Sequence, residues 1–232
     1  MSSQVIPART LTEARSHSPW PRATTLVFAL LTAALIGRAV FALWEPPFQG
    51  GILFDDIAPL GGAYWAMNVY LGGPAFLLSF IAGAIALVTL GRASVTSLIG
   101  GTLVVLGGSI FTPAIIAEVS PFALAANPDV MPAAQGRALF EVFNENHGVF
   151  LPPIILGSSV VALGIVIAMV GLLVAKAVPL WLSLGVLGYI VVFQVLPLGE
   201  LHPAIGFVAN ALELVLWFLL GLFALLKVRR ER

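Results

Sequence analysis

Two ionisable side chains lie inside long apolar runs: Arg38 in segment 24–44 and Glu213 in segment 204–226. In hydrocarbon such a group costs about 2.5–3.5 kcal/mol on insertion scales, so each needs a partner, a water-filled space or a task. Arg38 stands six residues before Trp44, and Glu213 nine residues after Ala204. At 1.5 Å per residue these offsets correspond to depths of about 9 Å and about 13 Å. The depths are close enough for an Arg38–Glu213 ion pair if the two runs are neighbours. Arg38 has an alternative, because its long stem can carry the guanidinium out to the headgroups. The glutamate is too short for that and must be paired or protonated, since burial without a cation raises a carboxyl pKa.

Glu213 sits on a polar stripe. His202 precedes it by eleven residues, about 20° around a helix of 3.6 residues per turn, with Gly206 and Asn210 between them on that side. Gln194 and Asn68 belong to the same layer of the bilayer. Arg38, Asn210, Glu213, Gln194 and Asn68 are therefore the candidate ligand-binding set. In it Arg38 holds either an anion or Glu213, and Asn210 orients the ligand. A second set lies nearer the surface: His147, His202, Glu145 and Glu200 are of the types that bind zinc or another divalent metal. No His-x-x-x-His spacing supports them. Two other chemistries fit poorly. Ser158 and Ser159 follow Gly157, but no Gly-x-Ser-Gly nucleophile motif is present. A bis-histidine haem would need both histidines within spans, whereas His147 and His202 fall at span ends. The residues name no reaction and no cofactor.

The elements that must position these groups follow from composition. Of 232 residues, 59% are hydrophobic and only 9% charged, against about 25% charged in soluble domains. Lipid is the solvent such a chain needs. Zero net charge argues against a nucleic-acid partner. The absence of cysteine excludes disulfides, thiolate metal sites and cysteine nucleophiles.

A span takes about 20 apolar residues. Segments 24–44, 64–90, 95–117, 150–175, 179–197 and 204–226 qualify, which predicts an all-α integral membrane bundle of six transmembrane helices. Residues 1–22 read as a flexible cytoplasmic tail and 23–228 as one membrane domain. The first run is too long, and followed by the wrong residues, for a cleaved signal. Pro74 is expected to kink the second helix. Gly100-Gly101 and Gly107-Gly108 in the third helix, and Gly164, Ala168, Gly171 and Ala175 in the fourth, predict close backbone packing.

With six helices, Arg9, Arg15, Arg22, Arg92, Lys176, Lys227, Arg229, Arg230 and Arg232 share one side. The other side carries Glu45, Asp55, Asp56, Glu118, Asp129, Glu141, Glu145 and Glu200 against Arg137 alone. The positive-inside bias makes the basic side, with both termini, cytoplasmic in a bacterial-type plasma membrane. Inner connections are short turns; the outer loops 45–63 and 118–149 are longer. In the latter, Leu139, Phe140 and Phe143 are expected to form the apolar face of a helix lying on the membrane surface.

The leading functional expectation is a solute-binding or transport component with an outward-facing polar pocket. The alternatives are a non-catalytic subunit of a larger membrane complex, or a homo-oligomer, whose outer loops dock a partner, and an integral-membrane metal enzyme using the outer histidines. Catalysis is the least supported of these.

Overall fold

The computed structural model describes residues 20–46, 51–146, 148–195 and 203–231. They form eight helices and no strand among the described residues. Helix α1 is Trp20–Trp44, α2 the single turn Phe54–Ile57, α3 the helix Gly62–Leu90, α4 Val95–Ala125, α5 Ala133–Glu145, α6 Leu151–Val174, α7 Leu180–Tyr189 and α8 Pro203–Arg230. Five of them (α1, α3, α4, α6 and α8) are long and apolar enough to cross a membrane. The apolar helix of residues 180–193, where a further crossing is expected, is shorter.

Apolarity runs round these helices instead of being confined to one stripe. Leu26, Ile36 and Leu43 of α1 are largely exposed, as are Leu163 and Val174 of α6. A helix apolar on every side suits a lipid surround, where outward leucines cost nothing. The centre of the bundle is α3, which packs against α1, α4 and α8. Small residues on opposite sides of it let neighbours close in, with Ala82, Ala84 and Ala86 nearly inaccessible.

The glycine pairs of α4 divide their labour. A Cβ at Gly100 would lie 2.5 Å from the Gly164 carbonyl, and one at Gly107 would lie 2.6 Å from the Gly157 carbonyl. Their neighbours turn the other way, Gly101 onto Ala84 and Val88 of α3, and Gly108 onto Phe80. Alternate glycines thus let α4 approach two helices at once, and α6 answers with Gly157, Gly164 and Ala168. Such close contact replaces the hydrophobic drive that lipid removes.

Partners at Phe28–Phe218 and Arg38–Glu213 make α1 and α8 antiparallel. Their outer chain ends therefore meet at one end of the bundle. Arg92 in the α3–α4 turn bonds Glu231 there, and Lys227 donates to the Leu90 carbonyl at the end of α3. The acidic residues from Glu45 to Glu145 lie at the opposite end.

Two expectations are corrected at that acidic end. Helix α4 contains Pro113 and runs eight residues past the expected boundary at 117, through Pro121, to Ala125, so the outer loop is shorter than the sequence implied. The face of α5 does not lie on lipid. Phe140 is buried against Phe54 and Phe122, with ring centroids 5.3 and 4.9 Å away, and Phe143 packs on Phe122. With Ile57, Tyr64 and Val119 these rings form a second core. Burying three aromatic rings against protein competes well with leaving them at the headgroups.

Polar clamps fasten this cap. The Asn144 amide donates to the Ile52 carbonyl at 2.8 Å and accepts from the Ile52 N–H at 3.0 Å. Arg137 grips Asp55 with both Nη groups and lies 4.6 Å from the centre of the Phe54 ring. That hydrogen bond holds the Asp55 carboxyl below its usual range.

Candidate functional site

Pro74 sets the local geometry of the site. It has no N–H to donate, so the α-helical ladder breaks one turn earlier, and Asn68–Gly72 adopts a π-helical turn in which the Gly73 N–H bonds the Asn68 carbonyl. Wide turns of this kind recur where a helix wall must bulge around a site. Asn68 is buried, and its Nδ2 donates to the Tyr64 carbonyl at 2.9 Å, satisfying one acceptor near the break. A second π-helical turn, Ile190–Val195, follows α7.

Arg38 does not reach for the headgroups. Its side chain is 6% exposed, and Nη2 donates to Glu213 Oε1 at 2.8 Å. The guanidinium lies 4.3 Å from the centre of the Phe76 ring, with a long contact of 3.5 Å from Nη1 to Ser79 Oγ. Glu213 Oε2 accepts from the Tyr189 hydroxyl at 3.2 Å. A charged pair at this depth needs all of these partners, because the desolvation of two ions rivals their mutual attraction. Arg38 Nε is buried without a hydrogen-bond partner.

Arg38 borders two cavities, and Glu213 the inner one. A chamber of about 240 Å³ lies below the pair, lined by Arg38, Glu213, Tyr189 and Asn210 among apolar side chains of α3, α4, α6, α7 and α8. Phe76, Phe80, Phe111 and Trp217 give it aromatic walls. A vestibule of about 560 Å³ lies towards the acidic end, bordered by Glu45, Asp56, Glu118, Tyr64 and Asn68. Arg38, Phe76, Phe111 and Asn210 line both and form the neck between them. Gly206 widens the vestibule: among the described residues, no atom outside its own stretch of helix comes within 4 Å of where its Cβ would stand.

Glu45, just past the end of α1, is reachable from the vestibule yet flanked by enough protein to lose hydration. Its carboxyl is pushed up to about 7, first by that desolvation and then by the charge of Glu118.

The chain matches no known family model, no curated protein and no solved structure. What the site can do rests on its own geometry.

Of the expected ligand set, the fold brings Arg38, Asn210 and Glu213 to the chamber, while Asn68 borders the vestibule alone. The side chain of Gln194 lies outside the described residues. So do His147, His202 and Glu200, three of the four expected metal ligands; Glu145 is exposed at the end of α5. Among the described residues, no group of three His, Asp or Glu side chains could hold a metal. Sequence reading missed Tyr189, Ser79 and the aromatic walls. Tyr189 lies in a run that reads as plain apolar span, and a phenol within hydrogen-bonding depth of Glu213 was the available signal.

Proposed function

We propose that the protein is a solute-binding or transport component of a bacterial-type plasma membrane, with its pocket open on the side opposite its termini. The observation that carries this reading is the neck: a buried Arg38–Glu213 pair whose arginine borders both cavities and whose glutamate lines the chamber, with Asn210 lining both. A pair serving packing alone is best enclosed by side chains, since empty space beside a buried ion forfeits contacts without adding hydration. A pair at the boundary of a chamber and an entrance is placed to meet a solute, and concave, mostly apolar spaces with a few convergent polar groups are the usual form of ligand sites.

In this reading the chain crosses the membrane six times. The short helix of residues 180–193 belongs to the fifth crossing, and both termini are cytoplasmic. Support comes from the basic end, where Arg22, Arg92, Lys176, Lys227, Arg229 and Arg230 gather, as the positive-inside rule requires. The acidic vestibule then faces outward.

The test is native mass spectrometry of the protein released from mild detergent, comparing wild type with Ala162→Trp. Ala162 lines the chamber, and an indole there fills it. A low-mass adduct on the wild type that disappears from Ala162→Trp is the expected result. An adduct unchanged by the substitution, or a protein subunit as the sole companion, contradicts the proposal; the latter outcome favours an accessory subunit.

A further inference from the structure

We propose that the chamber takes a small organic cation, a protonated amine on a body about the size of one ring. This inference rests on the solute-site reading above and adds a ligand class to it.

Charge is the first argument. The side chains lining vestibule and chamber include one cation, Arg38, against four carboxylates, Glu45, Asp56, Glu118 and Glu213. A cleft lined by one sign of charge between low-dielectric walls concentrates the opposite ion and repels its own. An anion would have to pass Asp56 and Glu118, and Glu45 once it ionises, to reach Arg38. There it would find one Nη2 hydrogen on Glu213, Nη1 turned to Ser79 and Nε shut away from open space.

The remaining hydrogen-bonding capacity points the same way. A carboxylate has about four acceptor positions, and Glu213 uses two, on Arg38 and Tyr189. Asn210, which lines both cavities, has no side-chain partner among the described residues and can turn its carbonyl to a donor. The chamber thus keeps acceptor positions open, on Glu213 and on Asn210. An ammonium group, with three donors and no acceptor, complements it.

Size and wall chemistry set the body. An apolar cavity of about 150 Å³ holds benzene, so about 240 Å³ accommodates one ring with a short arm. Phe80, Phe111, Trp217 and Tyr189 line the chamber, and aromatic walls stabilise both an apolar body and a nearby cation. Arg38 over Phe76 already shows that these walls accept a cation.

The experiment is isothermal titration of the purified full chain in detergent with three probes of one shape: benzylammonium, benzyl alcohol and phenylacetate. Benzylammonium is expected to bind about tenfold or more tighter than benzyl alcohol, the equivalent of one favourable charge contact, and phenylacetate is expected not to bind. Asp56→Asn, a vestibule change that leaves the neck intact, should weaken benzylammonium several-fold and leave benzyl alcohol unaltered. Glu213→Gln should remove the preference for the amine. Phenylacetate binding as tightly as benzylammonium would overturn the inference, as would a preference for the amine that survives both substitutions. If no probe binds while the Ala162→Trp comparison still displaces an adduct, the cation class is wrong and the solute site stands. If that comparison also fails, both fall.

Discussion

Removing one member of the Arg38–Glu213 pair should cost far more than removing both. The two atoms are 2.8 Å apart, with side chains 6% and 18% exposed. At an effective dielectric constant of about 20, unit charges at that distance attract by about 6 kcal/mol before desolvation is subtracted. Glu213→Leu leaves a buried guanidinium with only Ser79 and the Phe76 ring for company, a loss of about 3–5 kcal/mol. Arg38→Met leaves a buried carboxylate held by Tyr189, which protonation can relieve, so its cost falls at the lower end of that range. In the double variant the charges vanish together, and most of the loss is recovered. The coupling energy of the cycle should reach at least about 1.5 kcal/mol. Midpoints of denaturant-induced unfolding in mixed micelles, followed by tryptophan fluorescence, measure all four corners. Additive single losses, with coupling near zero, would refute the claim that the pair is dry and mutually dependent.

Three further outcomes follow from the packing and the vestibule. Gly164→Val places a branched side chain where a Cβ already lies 2.6 Å from the Gly100 carbonyl, so α4 and α6 must separate; monodisperse yield on size-exclusion chromatography should collapse, while Gly188→Ala, with open space around it, should be tolerated. Asn144→Ala removes both bonds to Ile52, and at about 0.5–1.5 kcal/mol each the cap should loosen, seen as faster protease cleavage between Pro46 and Phe54 with the helical content unchanged by circular dichroism. Glu45, raised to about 7 by desolvation and by Glu118, carries its proton in the folded state between its ordinary value of 4.5 and that point. Stability therefore falls as pH rises from 4.5 to about 7, where only the unfolded chain ionises, and levels off above, while ionisation in the folded state strengthens cation binding. Glu45→Gln should flatten both profiles, measured as melting temperature between about pH 5 and pH 7 and as benzylammonium affinity within about one unit either side of the carboxyl's midpoint.

The bundle was legible because lipid imposes simple rules. Apolar runs such as 24–44 and 150–175 appear as α1 and α6 with ends shifted by only a few residues. The α4 glycines announced close packing at the right places, although sequence alone could not divide them between α3 and α6, since that depends on helix rotation. Depth arithmetic for Arg38 and Glu213 placed them within reach of each other, and adjacency of α1 and α8 completed the contact. The cap was misread for a definite reason. The period of Leu139, Phe140 and Phe143 reports an apolar face but not whether lipid or protein covers it, and Phe122 lay beyond the expected end of its helix. The chamber was invisible for a similar reason: its aromatic walls come from four helices, and nothing in an apolar run distinguishes a ring facing a cavity from one facing a lipid chain.

The central claim, a solute-sized space reached from the side opposite the termini, is tested most directly by thiol labelling. The chain has no cysteine, so a single Gly206→Cys supplies the sole thiol, in the vestibule wall, and Val174→Cys supplies a control at the basic end. In intact cells a membrane-impermeant maleimide should modify Gly206→Cys from outside and leave Val174→Cys untouched. Labelling of Gly206→Cys only after the cytoplasmic face is opened would contradict the orientation, and no labelling from either side would contradict the open vestibule itself.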